Sequence, residues 1–122
     1  MDKKCSVRYT IGLITAPRQK GYYLDRTLDS LNRTGFNDIT IFAEPGSVIP
    51  SSHTGPVIIR PKQYGDWTNW ATGFYELLLS NPESDLFLMV EDDVIFCNMA
   101  KSYLEHSLST LGEFGSLSLY TP

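Results

Sequence analysis

Few of the residues that usually mark a function are present. The 122 residues include two cysteines, Cys5 and Cys97, and two histidines, His53 and His106. None of the four falls in a metal-ligand spacing, so a structural zinc site and a CxxC redox pair are excluded. The cysteines read as two reduced, partly buried thiols at strand ends rather than a disulfide, and the histidines as surface or capping residues. No G-x-G-x-x-G and no P-loop pattern follows any strand-like run, which excludes a dinucleotide fold and a P-loop NTPase. No apolar run approaches the ~20 residues of a membrane span. The start, "MDKKCSVRYTIG", has no signal-peptide core, so a cytoplasmic location is the default and the "NRT" at Asn32–Thr34 carries no weight as a glycosylation acceptor. Basic runs are absent as well. With a net charge of −4 and a pI near 5, the chain is not expected to bind nucleic acid. An anionic ligand would need a local device: a metal ion, a helix N-terminus or a well-placed arginine.

What is present is ordinary globular material, 42% hydrophobic and 20% charged, enough for one domain with a real core. "VRYTIGLIT" (7–15) is apolar and β-branched on both faces, as a central strand covered on both sides would be. "YLDRTLDSLNRTG" follows, with Leu24, Leu28 and Leu31 at helical spacing and Gly35 as C-cap. "DITIFA" (38–43) reads as a second strand closed by the turn "EPGS", and "PVIIRP" as a third, shorter one. Between them "EPGSVIPSSHTG" (44–55) is a surface loop. "GDWTNWATGFYELLLSNP" predicts a helix with Trp67, Trp70, Ala71, Phe74, Leu77 and Leu78 on its apolar stripe, capped by Asp66 or Thr68 and stopped at Asn81-Pro82. "DLFLMV" is a fourth strand. "NMAKSYLEHSLSTLG" predicts a third helix, capped by Asn98, with Ala100, Tyr103, Leu104, Leu108 and Leu111 inward. "GSLSLYTP" begins a fifth strand. This alternation predicts an α/β domain with a mostly parallel sheet between helical layers, and an open sheet edge invites pairing with a second copy as a homodimer.

The informative stretch is "DLFLMVEDDVIF", residues 85–96, where three consecutive carboxylates end an apolar strand. In open α/β sheets ligands bind beyond the carboxyl ends of the strands, which is where Glu91, Asp92 and Asp93 fall. Alternation along an extended segment puts Glu91 and Asp93 on one side and Asp92 on the other. Uncompensated burial of any of them would cost several kcal/mol. A divalent cation removes that cost, and hard oxygen ligands suit Mg²⁺ or Mn²⁺. The competing reading is a solvated acidic turn.

"DLFLMVEDDVIF" resembles the DxD-type metal motif of nucleotide-sugar glycosyltransferases of the GT-A fold, in the EDD form seen among N-acetylglucosaminyltransferases. "ITAPRQKGYYLDRTLDSL" is similar to that family's first strand, nucleotide-facing loop and first helix. The resemblance implies a Rossmann-like GT-A nucleotide-binding sheet and metal-assisted transfer of a sugar from a nucleoside diphosphate, a uridine diphosphate sugar first, to a hydroxyl acceptor. It implies Asp93 as the Mn²⁺ or Mg²⁺ ligand, with Asp92 and Glu91 on the ribose hydroxyls or on water ligands of the metal. Arg18 would meet the base or the diphosphate, and Thr15, Ala16 and Pro17 would line the nucleoside slot. Glu44 would contact the base, against its reading as an exposed turn residue. Asn69 would touch the donor, against its reading as helix surface. Trp67 and Trp70 are expected in the core rather than as a sugar-stacking platform.

Members of that family continue well past the motif into a half that carries the acceptor site and the catalytic base. Here fewer than thirty residues follow Asp93, and Glu105 and Glu113 do not supply a base at the expected place. The expectation is therefore a donor-binding half that does not catalyse transfer alone. The alternative is a non-catalytic α/β module holding a nucleotide or a protein. A receiver-type phosphotransfer domain fits less well, since its acidic pair follows the first strand, where this chain has "LITAPR". A sugar nucleotidyltransferase would need a glycine-rich first loop.

Overall fold

The computed structural model describes residues 7–19, 22–112 and 115–118. Its elements run β1 (Tyr9–Thr15), α1 (Leu24–Thr34), β2 (Ile39–Ala43), β3 (Val57–Ile59), α2 (Asp66–Ser80), β4 (Leu86–Glu91) and α3 (Ala100–Leu111). The four strands form one sheet in the order β3-β2-β1-β4, and every pairing is parallel. The α/β class and parallel sheet expected from the alternation are therefore present. No helix among the described residues is long and apolar enough to cross a membrane.

Strand alternation sorts the core into two layers. Ile11, Leu13, Ile39, Ile41, Ala43 and Val90 pack on one face of the sheet against Leu24, Leu28 and Leu31 of α1. Ile14 and Phe42 pack on the other face against Leu77 of α2. Helix α1 ends as its sequence indicates, with Gly35 left-handed at φ 109° and its N–H bonded to the carbonyls of Leu31 and Asn32. This helix buries a second row as well, Thr27, Ser30 and Thr34. These hydroxyls hold the segment that follows β4. Thr27 Oγ1 donates to the Asp92 carbonyl at 2.9 Å, Ser30 Oγ accepts from Phe96 N at 3.0 Å, and Thr34 Oγ1 donates to the Asn98 carbonyl at 3.0 Å. A buried hydroxyl is costly without a partner, so this row sets where the chain runs after the acidic triplet.

Helix α2 departs from the apolar stripe predicted for it. Its buried residues are Asn69, Gly73 and Leu77, spaced by four. Trp67 lies two residues from Asn69, about 200° around the helix, and is 74% exposed. Trp70 and Phe74 lie on the flank and are half-buried, and Leu78 is exposed. Hydrophobicity pointed at the tryptophans, but closeness to the sheet decided the face, and an amide, a glycine and a leucine fit there where an indole does not. The predicted caps also differ: α2 starts after Gly65 and α3 after Met99, neither with a side-chain cap bond. Helix α3 buries no residue fully, since Tyr103 and Leu111 are exposed and Ala100, Leu104 and Leu108 are only partly covered. Cys97 is exposed rather than partly buried, and Cys5 lies outside the described residues. Of the predicted fifth strand, residues 115–118 are not in a strand and the remainder lies outside the described residues.

At Gly73 the close approach has a measurable consequence. A Cβ there would lie 2.9 Å from the ring of Phe42, which is fully buried and has no free space to turn into. Overpacking costs typically 1–3 kcal/mol, against a helix-propensity gain of about 1 kcal/mol. Gly73→Ala is therefore expected to lower stability by up to about 2 kcal/mol in urea denaturation.

Tyr9 provides a second test. Its ring packs edge-on against Phe36, 5.1 Å between centroids, and its buried hydroxyl has no hydrogen-bond partner of good geometry among the described residues. Burial, and then the nearby negative charge of Glu105, push the phenol up from 10.0 to about 12. The folded chain then holds this proton more tightly than the unfolded chain. Its contribution to stability is full below pH 10 and is lost as pH rises through about 12. Tyr9→Phe should flatten the decline in stability between those limits, as read from melting temperatures at stepped pH.

Candidate functional site

Because β2 and β3 lie on one side of β1 and β4 on the other, the strand order reverses between β1 and β4. Loops leaving the carboxyl ends of two such strands diverge and leave a crevice, the usual ligand position in open parallel sheets. A cleft of about 200 Å³ lies there. From β1 and its loop it takes Ile14, Thr15, Ala16 and Arg18, from β4 and beyond Glu91, Asp92 and Asp93, and from α2 Asp66 and Asn69. Seven of the nine residues assigned to the site from sequence thus line one cleft. Pro17 and Glu44 are not among the lining residues.

Asp92 is the buried member of the acidic triplet, 3% exposed, while Glu91 and Asp93 are exposed. The strand ends at Glu91, and Asp92 and Asp93 lie in the turn that follows, so the three differ in burial while lining one cleft. Thr15 Oγ1 donates to Asp92 Oδ2 at 2.7 Å. Arg18 grips the same carboxylate with two nitrogens: Nε donates to Oδ2 at 3.2 Å and Nη2 to Oδ1. A forked guanidinium–carboxylate pair of this kind is strong and directional. It raises the pKa of Arg18 above its ordinary value, first through the hydrogen bonds that Arg18 donates to Asp92. The charges of Asp92, Asp93 and Asp66 add to the rise, against the opposing cost of desolvation. Arg18 is therefore not a loose cation awaiting an anion, and in this conformation Asp92 already has its partners.

Two other assigned residues are engaged inside the fold. Glu44 is buried, not an exposed turn residue. Its carboxylate accepts from the backbone N–H groups of Tyr64 and Gly65, each at 3.0 Å, tying the end of β2 to the start of α2. Asn69 is 1% exposed rather than on the helix surface. It donates from Nδ2 to the Phe42 carbonyl at 3.0 Å and accepts at Oδ1 from Arg60 Nε at 2.8 Å. Arg60 in turn donates to Glu76 Oε1 at 2.6 Å and lies over the Phe42 and Tyr64 rings. These contacts fix α2 against the sheet, so that its first turn carries Asp66 to the cleft.

Asp66 was read from sequence only as a helix cap. Its place at the head of a helix that follows a parallel strand was the available signal, since such helices begin at the carboxyl edge of the sheet. With it, four carboxylates (Asp66, Glu91, Asp92 and Asp93) face one guanidinium in the cleft. Among the described residues no three His, Cys, Asp or Glu side chains converge into a group able to hold a metal by themselves. Mg²⁺ and Mn²⁺ need no such group: they commonly take one or two protein carboxylates and complete their shell with water and phosphate oxygens. The donor set fits a cation bound together with a phosphate ligand.

Compared with protein-family models, curated proteins and solved structures, the chain gives no match. What the site can do is therefore read from its own chemistry.

Two neighbouring acids should behave differently when removed. Asp92→Ala leaves Thr15 without its acceptor and breaks an ion pair buried on the Asp92 side, with Arg18 39% exposed, which should cost about 1–3 kcal/mol. Asp93→Ala removes one of several mutually repelling exposed charges and should change stability by no more than about 0.5 kcal/mol. Chemical denaturation of the two variants side by side checks this.

Proposed function

We propose that this chain binds a nucleoside diphosphate sugar together with Mn²⁺ or Mg²⁺ at the cleft between β1 and β4, as the donor-binding part of a glycosyltransferase with a GT-A-like sheet. The observation that carries this reading is a surplus of carboxylate at the topological switch point, with its one arginine already neutralised by Asp92. Such a cleft repels a bare diphosphate and attracts a divalent cation, so a phosphate ligand enters it as a metal complex. Asp93 is the exposed carboxylate best placed to supply a metal ligand, and Glu91 and Asp66 border the same space. Bound with the diphosphate, the cation would neutralise the negative charge that develops as the nucleoside diphosphate departs from the sugar.

The remaining residues act by positioning. Thr15 and Arg18 hold Asp92, and through it the first turn after β4, so that Asp93 projects at a fixed point. In this reading Asp92 shapes the site, while ribose or water contacts fall to Glu91. Ala16 leaves room beside the β1 loop for the nucleoside.

Calorimetric titration with uridine diphosphate sugars tests the reading. Affinity should be at least tenfold higher with Mn²⁺ than with chelator. Asp93→Ala should abolish that difference, and Glu91→Ala should reduce it less. Equal affinity with and without metal would overturn the metal-bridged model. No binding by any nucleotide would favour a non-catalytic module.

A further inference from the structure

Beside the acidic cleft lies a second cavity of about 350 Å³, lined by Ile14, Asp66, Trp67, Trp70 and Glu91. Its volume lies within the ~300–1,000 Å³ of small-molecule sites. It shares Ile14, Asp66 and Glu91 with the cleft, so the two are compartments of one depression on either side of that pair of carboxylates.

Its wall is aromatic and flat. Trp67 and Trp70 stack nearly parallel, 5.6 Å between ring centroids and 9° between planes. Trp70 continues the series inward to Phe74 at 5.5 Å, and Phe74 meets Phe87 of β4 at 6.2 Å. Trp67 is thus an indole braced from behind by a second indole, which is itself anchored to the sheet. Trp67 is held beside a cavity instead of folding back against the protein, although burying its indole would be favourable. Two parallel rings stacked on one another offer a single platform, not the several walls of a cage for a cation. The polar groups at its edge, Asp66 and Glu91, are carboxylates, which accept hydrogen bonds and, when ionised, donate none.

Resting on the nucleotide reading above, we propose that Trp67 is the base platform of this site: the planar nucleobase stacks on its indole, with base N–H groups directed at Asp66 or Glu91. The diphosphate and its metal then occupy the adjoining cleft at Asp93. Glu44 and Asn69, the polar residues first assigned to the base and the donor, spend their hydrogen bonds on Tyr64, Gly65, Phe42 and Arg60, and Arg18 spends its own on Asp92. A nucleobase presents a planar face that stacks on an indole and ring or amino N–H donors (N3–H of uracil, N1–H and N2–H of guanine) that a carboxylate accepts, and this wall carries both features.

Trp67 and Trp70 are the chain's two tryptophans, so all tryptophan emission reports on this wall. Titrating uridine diphosphate or guanosine diphosphate with Mg²⁺, which does not quench by itself, should give a saturable fall in emission. Pyrophosphate with Mg²⁺ should bind without that fall. Trp67→Ala should lower the ratio of nucleoside diphosphate affinity to pyrophosphate affinity roughly 5- to 150-fold, the range for loss of one base–aromatic stack, and Trp67→Phe should recover most of it. Circular dichroism should show both variants folded, because Trp67 is largely exposed. If nucleoside diphosphates bind with unchanged emission and the Trp67→Ala ratio stays at the original value, the platform is refuted while the metal–diphosphate reading stands. If neither nucleotide nor pyrophosphate binds, both readings fall together.

Discussion

The Asp92 carboxylate, held by Thr15 from β1 and by the fork of Arg18 from the following loop, joins the two strands between which the sheet changes direction. An ionised carboxylate that is 3% exposed survives only because its lone pairs are met by fixed donors, one of them charged. Once that pair is made, the β1 loop and the turn after β4 cannot move independently. The Asp92 carbonyl is held as well, by Thr27 of α1, so three elements converge on a single residue. Glu91 and Asp93, its neighbours on either side, are left facing solvent at a defined separation from the rest of the cleft.

Helix α2 is placed by a separate set of contacts that reaches the same cleft. Glu44 captures the backbone just before the helix, Arg60 bridges Asn69 and Glu76 along it, and Gly73 lets it approach the Phe42 ring. These are polar or small residues on what would ordinarily be an apolar face. The consequence is that the large aromatics of α2 are turned to the flank and outward. The helix therefore brings a carboxylate and an aromatic surface to the depression in the same turn, Asp66 and Trp67.

Much of this order was legible in the chain itself. Strand runs such as "IGLI" and "LFLMV" carry no charged or polar side chain because both faces are covered or partly covered, and the leucines of α1 repeat at about 3.6-residue spacing against one of those faces. Gly35 ends α1 because a left-handed residue is needed there. The acidic triplet could be placed at the carboxyl edge because it follows a strand in a parallel α/β order. Helix α2 was read less well. Hydrophobicity ranks tryptophan as core, yet a helix packed closely on a sheet selects for small size and for hydrogen bonds to the strands, which Asn69 and Gly73 satisfy and an indole does not. The limited burial of α3 was likewise hidden, because an apolar stripe states what a helix could cover and not what lies opposite.

By itself the sequence determined the alternation of strands and helices, the position of the carboxylates at a strand end and the sign of the charge gathered there, since these follow from local pattern and chain order. Tertiary structure alone decided which carboxylate is paired inside the fold and which stay exposed. That choice depends on partners 74 to 77 residues away in the chain, and a buried charge goes where a fixed guanidinium and hydroxyl can meet it. The same holds for Trp67: its residue type favours burial, and only the distance between α2 and the sheet left its ring outside.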